Sequence, residues 1–139
     1  MNTKYKLIDH TADIGIIAYG KDLAELFANS AYAMFDILTE ADKIDGKDSF
    51  EIQISAKSLE ELLITWLDEL LFRYETERIV CNRFIIDNID EKSIKATVFY
   101  EKIDHDKHDI KTEIKNVTYH QLEIKKVRNR WQARVIFDV

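Results

Sequence analysis

At 139 residues, 46% of them hydrophobic and 33% charged, the chain carries material for one continuous core in an ordinary folded-protein balance. No apolar run approaches the roughly 20 residues that span a bilayer. The lone cysteine, Cys81, excludes an internal disulfide, and three glycines with no proline exclude a Gly-rich phosphate-cradling loop. A formal net charge of −6 argues against strong direct binding to nucleic acid, whose non-specific affinity comes from phosphate contacts. The residues after Met1–Tyr5 lack the apolar stretch of a secretory leader; with the single thiol, this sets the expectation of a cytoplasmic chain with no membrane partner.

In chain order, the pattern predicts short apolar strands at Tyr5–Ile8 and Ile14–Tyr19, separated by the polar turn Asp9-His10-Thr11-Ala12-Asp13. A helix follows from about Asp22 to Leu38. Leu23, Leu26, Phe27, Ala31, Met34, Phe35 and Leu38 make one apolar face, and Asp22 with Glu25 reads as its start. Phe50, Ile52, Ile54 and Ala56 alternate with polar residues as a half-buried strand. The second helix runs from Ser58 to about Glu75, opened by Ser58 and Glu61 and striped by Leu59, Leu62, Leu63, Trp66, Leu67, Leu70, Leu71 and Tyr74.

The remainder reads as strands at Val80–Ile89, Ile94–Tyr100, Val117–Val127 and Trp131–Val139. In the last of these, Trp131, Ala133, Val135, Phe137 and Val139 share one face, and Gln132, Arg134, Ile136 and Asp138 the other. Helices and strands do not alternate one for one. The expected fold is therefore a single α+β domain over residues 1–139, with two amphipathic helices packed on a largely antiparallel β-sheet system. Lys111, Lys115, Lys125, Lys126, Arg128 and Arg130 form a basic stripe broken by Glu113 and Glu123, read as a solvated face.

Two carboxylate features stand apart from scaffolding. Asp13 closes the polar turn, and Asp138 is the penultimate residue. If the last strand lies beside the first, Asp13, Asp138 and the terminal carboxylate of Val139 converge. Two such charges about 4 Å apart repel by about 4 kcal/mol at an effective dielectric near ~20, which a hard divalent ion relieves. A plain hairpin turn and a solvated chain end remain the alternatives. His10, flanked by Asp9 and Asp13, has the composition of an oriented general base. In Asp104-His105-Asp106-Lys107-His108-Asp109, two histidines at a spacing of three suit a transition metal, against the plainer reading of an acidic loop with exposed histidines. Cys81 has no activating base beside it in sequence.

Four ordered stretches resemble the archease family. They are Asp9-His10-Thr11-Ala12-Asp13-Ile14-Gly15 with the first helix, Ser58 through Leu71, His108 with Lys111–His120, and the closing Arg134–Val139. The resemblance covers essentially the whole chain. It implies a non-catalytic partner of the GTP- and manganese-dependent tRNA-splicing RNA ligase, which joins a 3′-phosphate or 2′,3′-cyclic phosphate end to a 5′-hydroxyl. The partner would promote guanylylation and repeated turnover of the ligase and relax its choice of nucleotide.

The resemblance also implies a divalent metal, calcium foremost with magnesium or manganese as alternatives, at Asp13, Asp138 and Val139, the last through main-chain oxygen. His10 and His120 would stand around it as supporting residues, and Lys115 would act in ligase activation. Asn116 stands where the family has a small alanine, and the absence of proline is also unusual for it. A chaperone-like binding module and a metal-dependent phosphoester hydrolase using Asp13, His10 and Asp138 are the readings from other classes.

Overall fold

The computed structural model describes residues 3–9 and 12–139. Among these residues seven strands and two α-helices follow one another, with a 3-10 turn at Ala41–Lys43, as β1 (Tyr5–Ile8), β2 (Ile14–Gly20), α1 (Leu23–Leu38), β3 (Asp48–Ser55), α2 (Leu59–Glu77), β4 (Ile79–Ile89), β5 (Ser93–Lys102), β6 (Asn116–Val127) and β7 (Arg130–Asp138). Among the described residues every strand pairing is antiparallel. The first sheet has the order β1-β2-β7-β6, and the second β3-β5-β4. This is the predicted α+β class.

Both helices start where their capping residues require. Asp22 accepts a hydrogen bond from the Glu25 N–H at 2.8 Å, while the Glu25 carboxylate accepts from the Lys21 N–H at 3.0 Å. The reciprocal box thus reaches one residue further back than the usual form. Ser58 Oγ accepts from the Glu61 N–H at 3.2 Å, and α2 ends on Arg78 in the left-handed region (φ 56°), a C-cap made without glycine.

The single apolar face predicted for α1 understates its burial. Ser30, Ala33 and Ile37 are buried as well, because α1 packs against β2 of the first sheet and β4 of the second. A helix wedged between two sheets has little polar face to offer. The Ser30 hydroxyl is satisfied within the helix by Leu26 O at 2.8 Å.

The core joins these layers. Buried Trp66 donates its indole N–H to Phe27 O at 3.0 Å, tying α2 to α1, and meets Phe84 of β4 edge-on with ring centroids 6.2 Å apart. The β6–β7 hairpin turns through Arg128 and Asn129, both left-handed (φ 53° and 64°), which is the backbone twist a two-residue hairpin demands. Residues 103–115 cross from the second sheet to the first without regular structure. No helix among the described residues is long and apolar enough to cross a membrane.

Gly20 ends β2 where the chain doubles back into α1. A Cβ there would lie 2.3 Å from Leu26 N and 2.7 Å from Leu26 Cα, both backbone atoms. Gly20→Ala must therefore separate the strand from the helix. It is expected to cost about 1–3 kcal/mol, read as a lowered urea midpoint with an unchanged slope.

Candidate functional site

Strand pairing brings the two ends of the chain together. Ile14 of β2 lies opposite Phe137 of β7, so Asp13, one residue before, and Asp138, one residue after, are neighbours at the same end of the sheet, with Val139 following. On the other side of β7, Asn116 lies opposite Asp138 and donates from Nδ2 to Asp138 Oδ2 at 3.3 Å. The Lys115 N–H donates to the main-chain oxygen of Asp138 at 2.7 Å. That peptide oxygen is thus engaged sideways, and the donor Asp138 offers outward is its side chain. Asp13, Asp138 and Val139 are half-buried, and Lys115 is exposed.

Two backbone features aim this end. Ala12 holds the left-handed region at φ 67°, a conformation costing an L-residue about 1 kcal/mol, immediately before Asp13. At Gly15, a Cβ would lie 2.7 Å from Ile8 Cγ1 and 2.9 Å from Ile136 Cδ1. Its bare backbone lets those two side chains close over β2 two residues from Asp13. Ile136 is fully buried as a result, although the pleat sets it on the side of the polar residues Gln132, Arg134 and Asp138. The predicted alternation was right, but that side of the sheet has an apolar patch of its own.

Beside the carboxylates opens a cleft of about 470 Å³, lined by Asp9, Asp13, Asp36 and Lys111 and walled by Leu7 and Ile37. Leu7 is 62% exposed. Asp36 is held by both oxygens: Oδ2 accepts from the Tyr5 hydroxyl at 2.5 Å and Oδ1 from the Ala41 N–H at 3.0 Å. Burial first, and then the Asp36 carboxylate, raise the Tyr5 phenol above its ordinary value, so it stays a donor.

The 103–115 segment reaches this end through long-range bonds that sequence spacing does not reveal. The Lys111 N–H donates to Leu38 O at 2.8 Å, and Thr39 Oγ1 donates to Asp109 O at 2.6 Å. His108 is 1% exposed, not the exposed loop histidine anticipated. Its Nδ1 accepts from the Asp104 N–H at 3.0 Å, which leaves the proton on Nε2 to bond Glu101 Oε2 at 2.8 Å. Both ring nitrogens are committed, so His105 and His108 do not make a metal pair here; His105 is exposed. Lys107 also bridges Glu101 and Asp45, at 3.0 and 2.9 Å.

Of the other candidates, His10 lies outside the described residues. His120 is exposed in a bulged part of β6, its N–H bonded to Thr118 Oγ1 at 3.2 Å. It stands four residues beyond Asn116, on the order of 10 Å along the strand from the carboxylates. Cys81 is buried, and burial pushes its thiol up, away from reactivity.

The donors that the Asp13 and Asp138 side chains and the Val139 main chain offer are all oxygen, the chemistry of a hard divalent ion. Among the described residues, no three His, Cys, Asp or Glu side chains gather into a complete ligand group.

Fold and site together define a two-sheet α+β protein with two carboxylates side by side where β2 begins and β7 ends. The sequence pattern of the archease protein family matches residues 5–139, and the chain belongs to that family. It is similar to the archease of Methanosarcina barkeri, 44% identical over 98% of this chain and 96% of the relative, and to that of Sulfurisphaera tokodaii, 37% identical over 98% and 99%. The solution structure of a Methanobacterium thermoautotrophicum protein superposes with a TM-score of 0.83 at 36% identity, covering 98% of this chain and 99% of that one. The crystal structure of a Thermotoga maritima protein described as "an archease, possible chaperone" shares the fold, with a TM-score of 0.66 at 21% identity over 96% of each chain.

Glu101 anchors the crossing segment, and its charge can be tested by pH. Its desolvation is outweighed by the Asp45 N–H, Lys107 and His108, which hold its carboxyl below the ordinary value. A lowered carboxyl contributes stability above its ordinary pKa and loses it as pH falls through the folded value. Glu101→Gln is therefore expected to cost about 1–3 kcal/mol at neutral pH, with the penalty shrinking on acidification as the parent's own carboxylate is neutralised. Urea unfolding of both proteins across that range provides the measurement.

Proposed function

We propose that this chain is a non-catalytic activator of a GTP-dependent tRNA-splicing RNA ligase, promoting its guanylylation and multiple turnover from the carboxylate end of the first sheet. The observation that supports the reading is the β2–β7 register, which makes Asp13 and Asp138 neighbours beside the chain terminus in a protein matching the archease pattern over residues 5–139. Asp13, Asp138 and Val139 would hold the divalent ion, calcium foremost and magnesium or manganese otherwise. When bound, the ion supplies concentrated positive charge that offsets the carboxylates and polarises oxygen ligands.

The protein's own residues do the rest. Lys115 is exposed beside Asp138 while its backbone is fixed by the Asp138 carbonyl, so its ammonium is presented from an anchored position. The adjoining cleft offers carboxylates and the apolar Leu7 to a partner surface. A net charge of −6 favours encounter with a basic ligase face, setting orientation more than final affinity. The activator shifts the ligase toward the conformation that accepts GTP by binding that conformation more tightly. The setting is cytoplasmic.

A chaperone-like role is the second reading, favoured by the description of the Thermotoga relative and by the exposed Leu7, Phe72 and Tyr119. Suppressed aggregation of unrelated clients, without ligase stimulation, would support it.

Single-turnover guanylylation of the cognate ligase is expected to accelerate with this protein present, and identical rates with and without it would end the activator reading. Asp13→Ala and Asp138→Ala should each weaken calcium binding by at least about tenfold, roughly 1.4 kcal/mol, in calorimetry. Parent-like binding in both variants would refute the ligand assignment.

A further inference from the structure

The end of the first sheet opposite the carboxylates carries the reverse charge. There a cleft of about 270 Å³ lies between the start of β1, the end of β2, the β6–β7 turn and the first turn of α1, lined by Lys4, Tyr19, Lys21, Glu25, Asn29 and Arg130. Lys126 and Arg128 stand on the same hairpin end. The basic stripe seen in the sequence is thus divided by the fold. Lys111 and Lys115 go to the carboxylate end and Lys125 pairs with Glu123, while the remaining cations are joined by Lys4 and Lys21 from the other end of the chain.

Among the described residues, none of Lys4, Lys21, Lys126, Arg128 and Arg130 forms an ion pair, although the chain has 26 acidic residues to offer. Three of them rest on aromatic rings instead. The Arg130 guanidinium lies 4.2 Å from the Tyr19 ring centroid, Lys4 Nζ 4.9 Å from that of Tyr32, and Lys126 Nζ 5.9 Å from that of Trp131. An aromatic face holds a cation in place without neutralising it, so the charge remains available and is partly pre-ordered. Glu25 is the one carboxylate lining the cleft, and one of its oxygens is engaged by the Lys21 N–H.

We infer that this cleft and the hairpin beside it bind the phosphate backbone of single-stranded RNA. Lys4, Lys21 and Arg130 line the cleft together and Arg128 stands in the adjoining turn, whereas Lys126, opposite Trp131, lies across the pleat from Arg130; cations spread along the cleft suit successive phosphates better than one isolated anion. Asp13 and Lys21 bracket β2, about 25 Å apart along the strand. One end of the module is then free for a protein partner while the other holds nucleic acid. The inference draws on the ligase reading only for the class of polyanion. The net charge of −6 limits affinity without abolishing it, because the opposing charges are separated along the sheet.

Fluorescence anisotropy of a short labelled single-stranded RNA tests the inference. The parent should bind at about 50 mM salt, with affinity falling on a log–log slope of roughly −2 for three phosphates released from counterions. Lys21→Glu and Arg130→Glu should each lower affinity about tenfold, while Lys95→Glu, the same charge change on the second sheet, should leave it near the parent value. Lys21 is exposed in the turn before α1, so its variant keeps the test valid if Arg130→Glu fails to fold. Absence of RNA binding, or equal effects of all three variants, overturns the inference. So does displacement of RNA by GTP or inorganic phosphate at matched phosphate concentration, which would mark a free-phosphate site. If Lys21→Glu instead impairs guanylylation in reactions without RNA, the cleft meets the ligase and the RNA assignment is wrong. Should the activator reading itself fail, guanylylation will not respond to any of these proteins, while RNA binding still responds to Lys21.

Discussion

The antiparallel pairing of β2 with β7 is the constraint on which the rest of the molecule depends. It joins strands from opposite ends of the chain at the centre of the first sheet, and its register decides what each face and each end of that sheet contains. Ile16 and Ala18 pair with Val135 and Ala133 in the core. On the outer side, Gly15 admits Ile8 and Ile136. A slip of one residue would turn the core set outward and drive Ile136 against a side chain where only glycine fits. Burial on both faces therefore locks the register, and the register sets Asp13 beside Asp138.

That arrangement separates the stabilising interactions from the functional ones. Apolar burial between α1, α2 and the two sheets holds the strands, whereas the strand ends carry carboxylates that the register brings together. Asp13 and Asp138 stand side by side with like charge, and Ala12 adds a left-handed backbone before them. Such an arrangement persists because the sheet over-determines it.

The crossing segment between the sheets has the same logic. Residues 103–115 have no helix or strand, yet they are tied at His108 to Glu101 of β5, at Asp109 and Lys111 to the end of α1, at Glu113 to Tyr74 of α2 and at Lys115 to Asp138 of β7. An irregular stretch of this length inside a small protein is a means of delivery: it brings Lys111 and Lys115 to the carboxylate end with their backbones fixed. Cations from the chain's beginning and from the last hairpin gather at the other end. A modest net charge thus conceals a molecule polarised along the sheet.

Local patterns were enough for the elements. Leucine and aromatic stripes marked α1 and α2, Asp22 and Ser58 marked their starts, and two-residue alternation marked most strands, because these signals arise between residues a few positions apart. Asp13, Asp138 and Lys115 were also visible as candidates, through the turn, the chain end and the family motifs. Their adjacency was not visible, since it comes from a pairing that spans nearly the whole chain. For the same reason His108 looked like an exposed loop residue until Glu101 and the Asp104 N–H were found around it. Ile136 looked solvent-facing until Ile8 and Gly15 covered it, and the basic cleft could not be read from residues scattered between Lys4 and Arg130. Short-range periodicity records what each segment prefers. Which distant groups meet depends on strand order and register, and those are settled only when the whole core is buried at once.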